Sequence, residues 1–293
     1  MKKIDLHVHT NISDGTLTPT EVVHRAANLN LAAIAITDHD TVAGVKEAKQ
    51  TAIKLAKTKI EIEVISGVEI SAEYKGQDIH VLGLYVDEND EALVHQLSLA
   101  LAKRDERNEL MAARLREDGI DIHVKDLYFG EPNTVITRAH FARYLTEHHY
   151  VKNNDSAFSR YLNSNTKYYV PRTYMTPLDA ITLIKNAGGI PVLAHPLLYK
   201  LDINGVEELI AYVKSLGIEG IETIYSNNTG FDEGIIRRYV NKYDLLMTGG
   251  SDYHGLNKPS IELGSGRGNL MVPYELLEKL KNKLDRKRHS NHI

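Results

Sequence analysis

The chain has 293 residues, of which 25% are charged and 42% hydrophobic, with a formal net charge of −4. That balance excludes a disordered chain, and the lack of cysteine excludes disulfides and thiolate metal sites. The negative net charge argues against a protein that coats duplex DNA through a broad basic face, while fourteen histidines point to nitrogen and oxygen ligation of any bound metal.

The chain begins Met1-Lys2-Lys3-Ile4-Asp5 with no apolar signal-peptide core, and no run of about 18 apolar residues suggests a membrane span. A cytoplasmic location is expected. Lys3 to Val8 reads as a strand. Thr18-Pro19-Thr20-Glu21 is a capping box with proline at the first helical position, opening a helix to about Asn30. Leu31 to Thr37 is a continuous apolar run, as in a strand buried on both faces. A helix over Val42 to Lys57 follows, with Asp40 as its expected cap. A third strand runs from Ile60 to Ile70, and Tyr74-Lys75-Gly76-Gln77 turns into a fourth, Asp78 to Tyr85.

From about Asn89 to Tyr169 the pattern is helical, with a long amphipathic segment over Leu93 to Asp118 stopped by Gly119, and a second helix over Thr137 to His148. This stretch reads as an insertion. The β/α rhythm then returns. Thr176-Pro177 opens a helix, Ile190 to Ala194 is a strand, and Val206 to Leu216 is a helix. Gly220 to Tyr225, Leu245 to Thr248 and Asn269 to Val272 are strands, Pro273 starts the last helix, and Arg286 to Ile293 is a basic, disordered tail. Repeated βα units predict an α/β fold with a parallel sheet.

The residues with chemistry recur at one edge of that sheet. In Asp5-Leu6-His7-Val8-His9, residues two apart share a face, so His7 and His9 project together, and Asp5 on the same side is placed to orient a histidine. Asp14 follows in Asn11-Ile12-Ser13-Asp14-Gly15, and His39 in Thr37-Asp38-His39-Asp40. Glu69 ends the third strand among apolar neighbours, where a lone carboxylate costs several kcal/mol unless paired or metal-bound. His80 interrupts an apolar strand. His195 ends the strand after the insertion, and Asp252 and His254 stand two apart in Ser251-Asp252-Tyr253-His254. Each alone also fits turn chemistry, a salt bridge or a satisfied core histidine. Their recurrence at C-terminal strand ends favours a barrel, which gathers those ends around one centre. Thr248-Gly249-Gly250-Ser251 lacks the lysine and spacing of a phosphate-binding P-loop.

In this order the segments DLHVHTNISDG, TDHDT, GVEIS, IHVLGLYVD, AGGIPVLAHP and SDYHG resemble the polymerase and histidinol phosphatase family of metal-dependent phosphoesterases. The resemblance implies a distorted seven-stranded β/α barrel, formed by residues 1–88 and 172–293, with residues 89–171 as an inserted helical, substrate-binding domain. It implies two to three divalent ions of manganese, zinc or iron. His7, His9, Glu69 and Asp252 would hold the first, Glu69 with His80 and His195 the second, and Asp14, His39 and His254 the third. Thr137-Arg138-Ala139-His140 and Tyr169-Val170-Pro171 resemble the insert of bacterial members acting on 3′,5′-bisphosphate nucleotides and on 5′ ends of short RNA, although Ala139 stands where proline is usual. Arg138 is expected to grip a non-reacting phosphate through its planar fork, with His140 assisting it or the leaving group. The expected reaction is hydrolysis of a phosphate ester by water activated at the ions, with His195, His254 or His140 as leaving-group acid. A histidinol-phosphate or phosphotyrosine phosphatase and a module without turnover are the rival readings.

Overall fold

A computed structural model describes residues 2–131, 134–171, 175–199 and 201–290. Eight strands lie in one sheet in the order β7-β6-β5-β4-β3-β2-β1-β8. They are β1 (Lys3–Val8), β2 (Leu31–Ile36), β3 (Glu63–Tyr74), β4 (Gln77–Leu84), β5 (Ile190–Leu193), β6 (Gly220–Tyr225), β7 (Leu246–Gly250) and β8 (Val272–Pro273). The resemblance implies seven strands; the eighth falls where Asn269 to Val272 reads as a strand in the sequence, shortened to two residues and antiparallel to β1.

The barrel closes where the segment after β7 meets β1. The Asp252 amide donates to the His7 carbonyl at 2.9 Å and the His9 amide to the Tyr253 carbonyl at 3.0 Å. Gly250 permits this approach, because a Cβ there would lie 2.4 Å from the His7 Cβ. Backbone on both sides leaves no room to relax. We expect Gly250→Ala to lower stability by about 3 kcal/mol, at the upper end of overpacking costs, and to displace His7. Urea denaturation checks the first effect; an unchanged midpoint would contradict this closure.

The sheet is mixed where a wholly parallel one was expected. β1, β2 and β3 are mutually parallel, as are β5, β6 and β7, but β4 is antiparallel to both β3 and β5. The cause is local. Lys75 and Gly76 both have positive φ, 49° and 80°, the pairing of a two-residue turn that fits tight hairpins. Tyr74 therefore pairs with Gln77. A reversed β4 brings its first residues, not its last, to the edge where the parallel strands end. That is how His80 reaches the same edge as the other histidines.

Helices α1 (Pro19–Asn28) and α2 (Val45–Ala56) cover one side. The capping box of Thr18 and Glu21 forms as its sequence predicts. Asp40 does not cap α2, whose N-cap is Gly44 without a side-chain bond. Asp40 instead accepts from the Ser71 amide at 2.8 Å and pairs with Arg104.

α3 (Glu91–Glu117) joins two cores. Leu93 and Leu97 pack with the barrel's outer layer. Met111 and Leu115 pack with Ile122, Phe141, Leu145 and Leu162 in a separate cluster that includes α4 (Arg138–Glu147) and α5 (Asn154–Ala157). No strand occurs between residues 89 and 171 among the described residues. Residue 172, where the barrel was expected to resume, lies outside them. α6 (Pro177–Asn186), α7 (Ile203–Ser215) and α8 (Gly230–Lys242) complete the outer layer.

The last helix, α9 (Tyr274–Ser290), corrects the reading of a disordered tail from Arg286; residues 291–293 lie outside the described residues. Leu277, Leu280 and Leu284 join Ile4, Leu6 and Ala33 in one apolar cluster. Lys281 and Lys287 pair with Glu63 at 2.7 Å and Glu219 at 2.5 Å. A basic helix end also complements the macrodipole. Among the described residues no helix is long and apolar enough to cross a membrane.

Candidate metal centre

Nine side chains from six strands and the loops after them meet in one largely buried cluster; Glu69, expected at the end of β3, lies in the middle of that strand, because β3 runs on to Tyr74 in the hairpin. Glu69 is the cluster's hub. Its Oε1 lies 2.8 Å from His80 Nδ1 and 3.0 Å from His195 Nε2. Its Oε2 lies 3.1 Å from His9 Nε2, 3.1 Å from His39 Nδ1 and 3.4 Å from His7 Nε2. One carboxylate therefore faces five imidazoles. Asp252 Oδ1 lies 3.6, 3.5 and 3.4 Å from His7, His9 and His254. Asp14 faces His254 Nε2 at 3.1 Å, His9 Nδ1 at 3.5 Å and His39 Nε2 at 3.7 Å. His7, His9, Asp14, His39, Glu69, His80, His195, Asp252 and His254 are thus brought together as the sequence predicted.

The donor set fits divalent cations. Three subsets have ligand atoms within 4.8 Å of one another: His9, Asp14, His39 and His254; His7, His9 and Glu69; His39, Glu69 and His80. His7 Nε2 and His9 Nε2 face each other 3.1 Å apart, and a cation held by both would satisfy two nitrogens that cannot serve each other as neutral acceptors. His39 Nδ1 and His195 Nδ1 are buried and make no hydrogen bond of good geometry among the described residues.

Electrostatics point the same way. Burial alone would raise the Glu69 carboxyl, but His39, His80 and His7 hold it well below the usual carboxylate range. Burial is likewise overridden at Asp14 by His254 and His39, and at Asp252 by Lys258, His254 and His7. All three carboxylates are lowered well below their ordinary values. Burial lowers the imidazoles of His9 and His39, with neighbouring histidines adding to the effect. Neutral imidazoles beside ionised carboxylates are the protonation states that ligate metals.

The backbone is arranged around this cluster at some cost. His195 and Asp252 have positive φ, 23° and 57°. Such conformations typically cost about 1–3 kcal/mol each in a non-glycine residue and concentrate at functional sites.

The PHP domain family matches residues 5–239. The chain belongs to the PHP family. A 5′-3′ exoribonuclease of Haemophilus influenzae is 37% identical to it over 256 residues, covering 86% of this chain and 90% of that protein. A 3′,5′-nucleoside bisphosphate phosphatase of Chromobacterium violaceum is 33% identical over 265 residues, covering 90% and 91%. A crystal structure from Bifidobacterium adolescentis, assigned to the metal-dependent phosphoesterases, superposes with a TM-score of 0.82 at 28% identity, covering 95% of each chain.

Around the PHP cluster lies a shell that sequence reading found only in part. Glu222 accepts from His7 Nδ1 at 3.0 Å and from the His195 amide at 2.8 Å. The Glu222 carboxylate thereby orients the His7 ring with Nε2 toward the cluster, where a bound cation would replace its proton. Burial alone would lower the His7 imidazole, but Glu222, Glu69 and Asp252 raise it well above its ordinary value. His254 Nδ1 donates to the Asp252 carbonyl at 2.8 Å, which turns its Nε2 toward Asp14.

Asp5 does not take the orienting role expected of it. It accepts from the backbone amides of Ser251 and Gly264, both at 2.8 Å, and ties β1 to the loop after β7. Burial pushes its carboxyl up to about 6. Asp38 fixes the loop after β1 instead, accepting from Thr10 at 2.7 Å and Ser13 at 2.6 Å. Tyr225 and Lys258 reach Asp252 Oδ2 at 2.8 and 2.6 Å.

The start of α4 touches the residues around the cluster. Arg138 Nη2 pairs with Asp78 Oδ2 at 3.2 Å, two residues before His80, and its guanidinium lies 5.5 Å from the Tyr169 ring. His140 Nδ1 accepts from the Thr137 amide at 3.1 Å, and Thr137 Oγ1 donates to Asp14 at 2.8 Å. Burial pushes the His140 imidazole down to about 4. At neutral pH its proton therefore sits on Nε2.

Proposed function

We propose that this PHP protein is a cytoplasmic metal-dependent phosphoesterase that hydrolyses phosphate monoesters of nucleotides, with 3′,5′-bisphosphate nucleotides and the 5′ ends of short RNA as its substrate class. The observation that carries the reading is the meeting of the single Glu69 carboxylate with five imidazoles, flanked by Asp14 and Asp252. His7, His9, Glu69 and Asp252 hold one cation, Glu69 with His80 and His195 a second, and Asp14, His39 and His254 a third. Imidazole and carboxylate donors suit manganese, zinc or iron. Divalent ions in such a centre neutralise phosphoryl oxygens and lower the pKa of water.

The side chains around the ions position the ester. Neutral His140 presents its Nε2 proton as a hydrogen-bond donor, and an imidazole lowered to about 4 is a poor proton reservoir at pH 7. The ring proton of His254 is engaged by the Asp252 carbonyl. Residues 89–171 act as the substrate-binding insertion, bringing Arg138 and His140 to a barrel that supplies the ligands.

Arg138 exchanges its Asp78 partner for the phosphate that does not react. Charge-assisted bonds contribute about 1.5–3 kcal/mol. Arg138→Ala is therefore expected to cut kcat/KM on a 3′,5′-bisphosphate nucleotide by roughly 10- to 100-fold, and on an aryl phosphate far less. A steady-state panel of these two with histidinol phosphate and phosphotyrosine tests both the substrate class and the arginine. Equal losses on nucleotide and aryl phosphate would remove the specificity role. Preferred turnover of histidinol phosphate or phosphotyrosine would replace the nucleotide reading.

A further inference from the structure

A lysine stands at the metal cluster itself. Lys258 Nζ lies 2.6 Å from Asp252 Oδ2, and the Tyr225 hydroxyl donates to the same oxygen at 2.8 Å. Asp252 Oδ1 instead faces His7, His9 and His254. The two oxygens are thus divided between the cluster and this pair of donors. Burial alone would raise the Asp252 carboxyl, and the Lys258 ammonium does the most to hold it down.

The loop that carries Lys258 holds it in place. The residue follows a single helical turn, Gly255–Asn257, and its amide donates to the Gly255 carbonyl at 3.1 Å. The Leu256 amide donates to Thr16 Oγ1 at 3.0 Å, and Asn257 Nδ2 to the Asp14 carbonyl at 2.8 Å. The segment before Lys258 is therefore pinned to the loop that supplies Asp14. The lysine side chain is 35% exposed and that of Asp252 only 4%, so Lys258 reaches from solvent to a buried carboxylate. An ammonium has three donors. Among the described residues Asp252 is the only acceptor it meets, which leaves two for solvent or an incoming group. Charge favours an anion there. Asp14, Glu69 and Asp252 are the three carboxylates of the cluster, so even two divalent ions leave an occupied centre positive. An ammonium at its edge adds to the repulsion, and an anion bound across both relieves it.

We propose that Lys258 is a catalytic residue whose ammonium binds a non-bridging oxygen of the phosphoryl group under attack. The inference rests on the phosphoesterase reading above and adds a contact on the reacting group, where Arg138 serves the phosphate that does not react. In the reaction the oxygen of water joins phosphorus and the bond from phosphorus to the ester oxygen breaks. The ester oxygen leaves with the bonding pair and takes up a proton, giving an alcohol and inorganic phosphate. Lys258 transfers no proton in this step; it supplies charge. The transition state spreads negative charge over the equatorial oxygens, and an ammonium already fixed beside them stabilises it without reorganising. The residue types suit the two tasks. A point charge with rotatable donors can follow a phosphoryl group whose geometry changes, whereas the planar fork of arginine suits a phosphate that keeps its shape.

Lys258→Met keeps the reach of the side chain and removes its charge. Because Lys258 meets the reacting group, kcat/KM on a 3′,5′-bisphosphate nucleotide and on an aryl phosphate should fall alike, by about 100-fold, in contrast to the selective loss expected of Arg138→Ala. A titration of activity with metal should keep its midpoint and lose its plateau. A further readout needs no turnover. Calorimetric titration of inorganic phosphate into the manganese-loaded protein should give a Kd raised about tenfold or more in Lys258→Met, and largely restored in Lys258→Arg, which keeps the charge. Urea denaturation of both variants checks that the fold is intact. A Lys258→Met protein with the wild-type plateau and the wild-type phosphate affinity would overturn the proposal. So would a plateau that excess metal restores, since Lys258 would then only support Asp252. A wild type that hydrolyses neither ester would bring down the phosphoesterase reading, while the phosphate titration would still decide whether Lys258 meets the anion.

Discussion

Replacing Glu69 with glutamine is expected to lower kcat by about 10³-fold or more, the order seen when one electrostatic element of a preorganised site is removed. It should also abolish the stabilisation that divalent metal confers. Both effects follow from the carboxylate's place at 2.8–3.4 Å from five imidazoles. Glutamine keeps the shape but loses the charge and one acceptor, so it cannot serve two cations at once. A ligand at one hundred times its Kd stabilises the folded state by about 2.7 kcal/mol. For a chain of this size that raises the melting temperature by roughly 5 °C. Wild type is expected to show this rise with manganese or zinc, and Glu69→Gln to melt at nearly the same temperature with or without metal. Metal content after dialysis provides the second readout. A variant that keeps its metal, its thermal response and most of its turnover would contradict the bridging role and the phosphoesterase reading with it.

The candidate ligands were legible because their chemistry is local. His7 and His9, or Asp252 and His254, stand two apart next to apolar runs, and strand periodicity alone places each pair on one side. That these pairs share a centre also followed, since the C-terminal ends of barrel strands converge. The supporting shell is non-local. Glu222 meets His7 across 215 residues of sequence, and no spacing records that. One signal was available: like Glu69, Glu222 is an acid inside an apolar strand, Ile221-Glu222-Thr223-Ile224, and is fully buried. The cost of burying a carboxylate without a partner applied equally to both.

Where the fold departed from its expectation, pairwise interactions decided. Asp40 has the composition of a helix cap, but it stands five residues before α2 in left-handed backbone with φ 53°, where its carboxylate serves Ser71 and Arg104. The basic run from Arg286 looks like a tail by composition alone. Leu284 buried beneath it and Glu219 beside Lys287 make it helix. The turn at Lys75-Gly76 is legible in the sequence, but its consequence is topological. A tight hairpin forces β4 antiparallel, and only then does an early-strand histidine belong to the edge where parallel strands end.

Glu222→Gln is expected to weaken metal binding by about 10- to 100-fold, the usual cost of losing a carboxylate behind a ligating histidine, while turnover at saturating metal recovers to near wild type. The reason is positional. Glu222 touches neither a phosphate nor a reacting atom in the proposed reaction. It accepts from His7 Nδ1 and from the His195 amide, so it orients one proposed ligand and the backbone that carries another. A glutamine amide can present oxygen to His7, but it can equally present nitrogen, and the enforced orientation is lost. Glu222→Ala goes further. It leaves two buried donors without an acceptor, at about 1–3 kcal/mol each, and should lower the melting temperature as well as the affinity. A metal titration of activity separates these roles, because a positioning defect shifts the midpoint and spares the plateau, whereas a catalytic defect lowers the plateau and spares the midpoint. An unshifted midpoint in Glu222→Gln, with the protein folded, would show that His7 is oriented by something other than this carboxylate.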